Sequence, residues 1–421
     1  MTAVTPPAQH RRPSGARQPV PRVGPGRSRL RPAAGFAFGA ALLFAVAPLV
    51  LSDFRLSLLA KYLCVAMVAV GIGIAWGRGG MLTLGQGVFF GLGGYAMAMH
   101  LKLADAGPGG MPDFMQLYGQ LDELPLWWRP FASPWFALPA TVLLPMVVAF
   151  GLGSLVFRRR VRGAYFAILS QALAAAMVIL LIGQQGTTGG TNGLTDIKGF
   201  FGYDLDDPVN QRMVYFIIAA ALLALLALAR QLIHSRYGEL LVAVRDGEER
   251  VRFLGYDPAS VKLVAYVVAA GMAGLAGALF VPAVGIISPA LIGIVPSIEF
   301  VIGVAVGGRA TLLGPVLGAV AVAWARTALS ERFPGTWTYL QGCSSWSWWR
   351  SSPAAWRRCG RWPAAATTAR QRADVSGYRW AGDAPSGRRC RRHERRTVGR
   401  VVRPGRAGQL RRVHRRRRGL A

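Results

Sequence analysis

The sequence predicts an all-α fold, a polytopic transmembrane helix bundle with about eight or nine spans. Hydrophobic residues make up 52% of the 421-residue chain, and its mean hydropathy is +0.34. Charged residues make up only 16%, whereas a soluble domain carries about 25%. Several apolar stretches reach the roughly 20 residues that a helix needs to cross the hydrocarbon core of a bilayer.

The predicted spans follow one another along the middle of the chain. They lie at about 36–52, 54–77, 81–100, 134–157, 163–184, 213–232 and 261–284, with two shorter apolar pieces at about 297–308 and 311–328. The first span has the length of a cleaved signal peptide, but its long basic lead and the many later spans favour a retained signal-anchor helix. Glycine is frequent in the spans, and it lets helices approach closely in lipid.

The net charge of +30 divides the chain into three regions. Residues 1–35 hold seven arginines and no acidic residue, and we predict a disordered basic tail. Residues 343–421 hold 22 arginines, no lysine and three acidic residues, and form a second tail predicted to be disordered. The membrane domain between them, 36–342, is nearly neutral. Since nucleic-acid binders carry basic charge on a folded face or a defined arm, we expect no nucleic-acid partner.

The sequence lacks the residue patterns of an enzyme or a metal site. The four cysteines show neither a CxxC pair nor a Cys/His spacing typical of zinc. The spans contain no paired carboxylates and no nucleophile–base set. The chain also lacks the phosphate-binding pattern Gly-x-x-x-x-Gly-Lys-Ser/Thr. We therefore expect a membrane protein that is not an enzyme and that binds no cofactor of its own.

Basic residues in short loops predict the orientation, because lysine and arginine stay on the cytoplasmic side. The N-terminal tail, the run 158–162 and the loop 233–260 are therefore predicted to be cytoplasmic. Counting the spans places the loops 101–133 and 185–212 on the opposite side, and both are acidic. Their carboxylates are Asp105, Asp113, Asp122 and Glu123 in the first loop and Asp196, Asp204, Asp206 and Asp207 in the second.

The loop 233–260 carries the strongest pattern outside the spans. Its apolar positions 240, 241, 244, 251 and 254 recur at helical spacing, which predicts a short amphipathic helix between two spans. Such a helix either rests on the membrane surface or docks in a cleft of a cytoplasmic motor subunit, since helix-in-groove docking needs an apolar stripe with a charged flank. The pattern alone leaves both interpretations open.

This loop resembles the cytoplasmic loop of branched-chain amino acid and urea ABC importer permeases. That family reads Gly-x-x-x-x-Ala-x-Arg-Asp-x-Glu, then Leu-Gly and a lysine shortly before the next span. The matching residues here are Gly238, Ala243, Arg245, Asp246, Glu248, Leu254, Gly255 and Lys262, and Glu239 lies in the same predicted coupling loop. The stretches 269–278 and 307–319 are also similar, so the resemblance covers roughly residues 36–342.

The resemblance implies a permease subunit of the bacterial inner membrane, crossing it several times with its N-terminus in the cytoplasm. It also implies a related second permease subunit, cytoplasmic ATPase subunits that use the ATP, and an extracytoplasmic substrate-binding protein. The division of labour agrees with the missing phosphate-binding loop in this chain.

Thr83 and Gln86 are the first candidates for the translocation path. They lie at the start of the glycine-rich segment 82–95, which we expect to be kinked or discontinuous. Broken backbone at membrane depth is tolerated where protein or a polar cavity satisfies it, so these side chains are candidates to line a route. The alternative is a glycine packing face on which Gln86 bonds a neighbouring helix.

Other candidate path residues are spread along the chain. Further polar side chains within or near the spans are Tyr165, Ser170, Gln171, Ser288, Ser297 and Glu299, and of these Tyr165, Gln171 and Glu299 are candidates for the path. Thr188 and Asn192 lie in the segment 186–195, which is either a flexible turn or an outer gate or contact for the binding protein. That segment and the following 201–208 resemble urea-type members more than amino acid types. Urea or a short-chain amide is therefore the first expected substrate, with a branched-chain amino acid permease or a passive small-solute channel as alternatives.

The composition changes abruptly after Gly342, and we interpret 343–421 as the product of a shifted reading frame. One base earlier, every Trp or Cys codon yields a codon for Leu, Val or Met, and every TCN serine codon yields Leu, Val, Ile or Phe. The run 343–349 then decodes as seven apolar residues. A genuine basic tail that touches anionic lipid is the alternative.

Overall fold

The computed structural model of the chain describes residues 30–332, apart from 108–109, 120–122, 160 and 162. The chain divides into two compact units, Met1–Trp356 and Arg357–Ala421, and the second lies wholly outside the described residues. The predicted Arg-rich tail 343–421, which the reading-frame hypothesis concerns, also lies outside the described residues. Most of the predicted N-terminal tail does so as well.

The first half of the described chain is almost entirely helical. Its elements are α1 (Leu30–Ala41), a π-helical turn (Leu42–Val46), α2 (Ala47–Val50), α3 (Asp53–Ile72), a second π-helical turn (Gly73–Arg78), α4 (Gln86–Ala106), α5 (Asp113–Gly119), a 3₁₀ turn (Arg129–Ala132) and α6 (Pro134–Arg158). The first helix begins at Leu30, inside the tail predicted for residues 1–35.

The second half continues in the same way, with one small hairpin. Its elements are α7 (Ala164–Gly183), α8 (Gln185–Thr188), β1 (Gly199–Phe200) paired antiparallel with β2 (Tyr203–Asp204), α9 (Pro208–His234), α10 (Arg236–Phe253), α11 (Pro258–Val284), a 3₁₀ turn (Pro289–Leu291), α12 (Ile294–Gly307) and α13 (Leu313–Arg332).

Seven helices of the described part are long and apolar enough to cross a membrane. They are Asp53–Arg78, Pro134–Arg158, Ala164–Gly183, Pro208–His234, Pro258–Val284, Pro289–Gly307 and Leu313–Glu331. These match seven of the predicted spans and confirm the all-α polytopic bundle. The first predicted span is a shorter apolar helix, Gly35–Val50. The third predicted span, 81–100, becomes α4, which begins five residues later than expected and falls outside that set of seven.

Helix α11 lies at the centre of the bundle, where it packs mainly against α4, α6 and α3. The seam between α4 and α11 depends on glycine. A Cβ atom at Gly93 would overlap the backbone of Gly274, and one at Gly277 would overlap the carbonyl oxygen of Phe90. Such backbone proximity is the usual means of helix association in lipid. It also explains why α4 is almost wholly buried.

The two acidic loops meet at one end of the bundle, here called the loop end. Lys102 donates from Nζ to the carbonyl oxygen of Asp196 at 2.8 Å. The ring centroids of His100 and Phe201 lie 5.4 Å apart. The opposite end carries α10 and the connection between α6 and α7, and is here called the α10 end. The acidic loops and the loop 233–260 thus lie at different ends of the bundle, as the span count predicted.

Candidate functional site

Helix α10 forms the connector between two spans that its apolar spacing predicted. The Ser235 hydroxyl caps it by accepting a bond from the Gly238 amide at 3.4 Å. A side chain at Gly238 would overlap the Ile233 carbonyl oxygen, which explains glycine here. Gly247 adopts non-helical angles (φ −165°, ψ 74°) and divides α10 into two arms. The apolar stripe is buried at Leu241, Val244 and Val251, whereas Leu254 lies outside it and is exposed.

Arg245 ties α10 to the end of the span that begins with α3. Its Nη1 atom donates to the Gly77 carbonyl oxygen at 2.8 Å, and its Nε atom donates to Oδ1 of Asp246 at 2.9 Å. The aliphatic part of Arg245 lies where a side chain at Gly80 would stand. The hydrogen bond from Arg245 also lowers the pKa of the Asp246 carboxyl. Arg245 thus braces the first arm of α10 on the bundle.

Glu248 ties the second arm of α10 to α11. Its Oε2 accepts from Lys262 Nζ at 2.8 Å, and both side chains are largely buried, at 18% and 16% exposure. Arg252 approaches the same carboxylate at 3.8 Å. Glu248 and Lys262 also line a cavity of about 340 Å³ at the α10 end, together with residues 80–82, Phe157, Val161, residues 163–164 and Phe166. A movement of the second arm would therefore change the wall of this cavity.

The return from α10 into the bundle is fixed by a helix cap. Asp257 accepts bonds from the Ala259 amide at 3.1 Å and from the Ser260 amide and hydroxyl at 3.2 and 2.6 Å. The Ser260 hydroxyl is the main reason that the pKa of Asp257 is lowered. Tyr237 donates to the Val261 carbonyl oxygen at 2.6 Å, and burial raises its pKa to about 12. Both arms of the loop thus lean on the start of α11.

An apolar tip projects from the α10 end. It consists of Phe253, Leu254 and Tyr256, which are 89%, 76% and 55% exposed. Gly255 lies among them with φ of +88°, a conformation that favours glycine. Exposed apolar clusters rimmed by charge are typical of interaction surfaces. The predicted loop residues Leu254 and Gly255 belong to this tip, and Glu239 and Ala243 are exposed on the first arm. Phe253 and Tyr256 were missed, since neither fits the helical apolar spacing.

The chain is broken before α4. Residues 79–85 are not helical, although Gly79, Met81, Thr83 and Gly85 are buried. Serines from other helices support this segment: Ser170 Oγ accepts from the Leu84 amide at 3.0 Å, and Ser297 Oγ accepts from the Gly87 amide at 3.2 Å. The expected discontinuity therefore lies before the glycine-rich helix. Helix α4 itself is continuous, and its glycines allow close packing against α11.

Thr83 and Gln86 stand at this break and are fully buried, at 0% and 1% exposure. The Thr83 hydroxyl and both polar atoms of the Gln86 amide have no hydrogen-bond partner among the described residues. Within the described residues, Gln86 therefore does not form the hydrogen bond to a neighbouring helix that the alternative interpretation requires. Buried amides without partners are costly and usually indicate an ordered water, a bound solute or a functional role.

The other candidate path residues do not converge on one site within the described chain. Tyr165 lies at the start of α7 and is 76% exposed, and Gln171 lies one and a half turns further. Thr188 is buried at the loop end and donates to the carbonyl oxygens of Leu181 and Gln184 at 2.7 and 2.8 Å. Asn192 is exposed in the turn that follows.

Glu299 belongs to a charged cluster that no sequence pattern predicted. Its carboxylate forms an ion pair with Arg326 of α13. Lys61 of α3 interacts electrostatically with both groups. The hydroxyls of Tyr62 and Thr327, one residue along each helix, form a hydrogen bond of 2.7 Å. The contributing residues lie far apart in sequence, so no local spacing indicates the cluster. Charges inside spans are rare and usually functional.

The seven long apolar helices of the described part are those of a multi-pass membrane protein. The chain belongs to the family described as branched-chain amino acid transport system / permease component, which matches residues 54–342. It is similar to the high-affinity branched-chain amino acid transport system permease protein LivM of Salmonella typhimurium, with 26% identity over 69% of this chain and 68% of that one. LivM of Escherichia coli matches equally, at 26% identity over the same shares. No solved structure matches the chain.

Membership of this family agrees with the resemblance seen in the loop 233–260. The family consists of permease components and not of enzymes, as the sequence predicted. In the described part, no group of three or more His, Cys, Asp or Glu residues is placed to hold a metal ion.

Proposed function

We propose that the chain is the membrane-spanning permease subunit of an ATP-driven importer and that α10 is its coupling helix. The observation that carries this proposal is the contrast within α10. Arg245 and Glu248 brace the loop on the bundle, while Phe253, Leu254 and Tyr256 stand exposed beyond it. A rigid base and an apolar tip suit a connector that transmits movement from a separate ATPase subunit.

The α10 end would face the cytoplasm of a bacterial cell, with the chain in the inner membrane. This end carries Arg158 at the end of α6, Arg159 directly after it and the arginines of α10, and the loop end carries the acidic loops. The distribution follows the positive-inside rule. The partners would be a related second permease subunit, cytoplasmic ATPase subunits and an extracytoplasmic substrate-binding protein. ATP would be used by the ATPase subunits.

The turn around Thr188 and Asn192 is the candidate contact for the binding protein or an outer gate. The Leu194 amide donates to the Ile287 carbonyl oxygen at 2.8 Å, and the Ile287 amide donates back at 3.0 Å. Gly193 lies so close to the Ile287 carbonyl that any side chain would overlap it. The turn thus rests on the connection between α11 and α12, so an external contact there would reach the central helix.

Removing the apolar tip tests the coupling role. The double variant Phe253→Ser, Leu254→Ser should abolish transport and lower recovery of the ATPase in a pull-down by at least about tenfold, the scale of losing apolar anchors at an interface. The melting temperature of the permease in detergent should stay unchanged, because both side chains are exposed. Trp127→Ser, an exposed aromatic in the loop 101–133 at the loop end, is the matched control. Full pull-down and transport in the tip variant would refute the coupling assignment.

Urea or a short-chain amide is the substrate we propose first. The segment 186–195 and the segment 201–208 support it by resembling urea-type members. Thr83 and Gln86 add support, because their unpartnered hydroxyl and amide groups offer neutral donors and acceptors that suit an uncharged amide.

A branched-chain amino acid is the second candidate, and two observations favour it. LivM of both bacterial species is described as a branched-chain amino acid permease. The cluster of Lys61, Glu299 and Arg326 lies in the spans, and a zwitterion requires partners of both charges, which urea does not.

Uptake of labelled urea and labelled leucine, each competed with the other, decides between these substrates. Cells would carry the chain with its partner subunits, using both the unaltered gene and a version with the reading frame restored after Gly342. Urea uptake that leucine does not inhibit supports the first candidate, and the reverse supports the second. Uptake that persists when the ATPase is absent would identify a passive channel and overturn the importer proposal. Sequencing the gene across codon 343 tests the reading-frame hypothesis directly.

A further inference from the structure

A long apolar groove lies on the side of the bundle, away from α10 and the break before α4. Its volume is about 750 Å³. The walls come from α1, α2 and the π-helical turn between them, from α3 and α9, and from the start of α13. Every lining residue is apolar or glycine except Arg230 and Thr311. None of the candidate path or coupling residues lines it.

The groove opens toward the surroundings of the bundle. Leu42, Val50 and Leu317 line it and are 48%, 74% and 68% exposed. Side chains added at Gly35 or Gly39 would meet no atom within 4 Å, so the groove has room along α1. From Phe36 to Val50 its helical wall is about 21 Å long at 1.5 Å per residue. That length accommodates a fatty acyl chain lying along the helix.

Arg230 marks one end of the groove. It lies one turn before the end of α9 at His234, and so near the membrane surface at the α10 end. Its guanidinium stands over the ring of Phe36, with the central carbon 5.9 Å from the ring centroid. No carboxylate among the described residues forms an ion pair with Arg230. This position therefore offers a guanidinium beside an apolar surface.

We propose that the groove binds an anionic phospholipid, with its phosphate on Arg230 and one acyl chain along α1 and α2. One cation at the end of a long apolar surface matches an amphiphile with one anionic head. Arginine binds phosphate through paired N–H donors, and basic pockets between membrane helices are typical lipid headgroup sites. A protein helix in the same groove would not have to carry an anionic group opposite Arg230. An anionic phospholipid always carries one next to its acyl chains, so charge complementarity favours lipid.

Lipid retention by the purified full chain tests the proposal. The chain would be placed in nonionic detergent micelles that contain phosphatidylglycerol or phosphatidylcholine, and retained lipid would be counted by native mass spectrometry. The wild-type chain should retain phosphatidylglycerol preferentially and melt at a higher temperature with it. Arg230→Gln should lower that retention by about tenfold, the size expected for losing one charge-assisted bond. Arg230→Lys should keep part of the preference.

Two further variants separate the charge from the groove. Arg236→Gln removes the same charge at the same end of the bundle, but Arg236 does not line the groove. This variant should therefore retain as much phosphatidylglycerol as the wild type. Gly39→Leu fills the groove and should lower retention of both lipids. Equal retention of the two lipids by the wild-type chain, or equal behaviour of Arg230→Gln and Arg236→Gln, would overturn the proposal. A benzophenone at Leu43 that cross-links to protein instead of lipid would also overturn it.

Discussion

The seam between α4 and α11 and the loop formed by α10 hold the same bundle together by opposite means. In the seam, Gly93 and Gly277 bring two backbones together, and no side chain intervenes. In the loop, Arg245 and Glu248 form directed bonds of 2.8 Å to Gly77 and Lys262. In lipid, apolar side chains gain little from leaving one apolar environment for another, so close packing replaces the hydrophobic effect. At the end of the bundle that carries α10, polar bonds position the segment that we propose contacts an ATPase subunit.

Filling the seam should produce the largest effect on stability. Gly277→Leu places a side chain on the Phe90 carbonyl, so the two helices have to separate. We expect a loss of at least about 3 kcal/mol, the upper end for overpacked cores. The measurement is the monodisperse fraction after detergent extraction and its melting temperature.

The matched control is Gly151→Leu. Gly151 lies in the interior of α6, and a side chain there meets no atom within 4 Å. It should extract and melt like the wild type. If both variants behaved alike, the seam would not be what holds the centre of the bundle.

The sequence predicted the spans well, but it did not predict which of them are the most buried. The spans of α11 and α7 are similarly apolar, yet 78% of the apolar 18-residue window of α11 and only 28% of that of α7 is buried. An apolar helix can face either lipid or other helices, so its composition does not show which of the two surrounds it. Glycine content was the better guide, since the glycine-rich segment became α4, which is almost wholly buried and packs on the central helix α11. The start of α4 was misplaced because Ser170 and Ser297, which support the break, come from other parts of the chain.

Breaking the pair of Glu248 and Lys262 should have a moderate effect. Both side chains are largely buried, so Glu248→Gln leaves a lysine ammonium in a partly desolvated place. We expect the free energy of unfolding to fall by about 1 to 3 kcal/mol, as for a charged hydrogen bond. Thermal melting in detergent measures it, and transport should fall in parallel if the second arm of α10 has to stay on α11.

Two variants sharpen this result. Glu249→Gln changes an exposed neighbour and should have no measurable effect. The exchange Glu248→Lys with Lys262→Glu keeps the pair in reverse and should recover part of the lost stability. If Glu248→Gln caused no loss of stability and the exchanged pair gave no gain over the single variants, the loop would not depend on this bond.

The residues of the predicted coupling loop were chosen by family resemblance, and that resemblance did not show which contacts they form within the chain. Arg245 and Glu248 are charged, and a linear motif cannot show that they bond to Gly77 and Lys262 of the same chain. The exposed tip around Gly255 depends on that glycine turning the chain, which only the three-dimensional arrangement displays. The charged cluster around Glu299 draws on three separate helices, and no spacing rule connects them.

Gln86→Met should produce the smallest change in stability, and it tests the break before α4 most directly. Methionine has nearly the shape of glutamine, and the Gln86 amide has no partner among the described residues. Replacing an unsatisfied buried amide by an apolar group of similar shape is close to neutral or slightly stabilising. The melting temperature should therefore stay the same or rise. Ser297→Ala, which removes the bond to the Gly87 amide, should lower stability by about 1 kcal/mol and serves as the contrast.

Transport by the same Gln86→Met protein then distinguishes path from packing. If Gln86 contacts the solute or the water that moves with it, uptake should fall at least about tenfold, since the site loses a donor and an acceptor together. Unchanged uptake with unchanged stability would assign Gln86 to packing alone. In that case the unpartnered amide would be one more feature of the glycine seam, and the face that carries Glu299 and Arg326 would become the first candidate for the path.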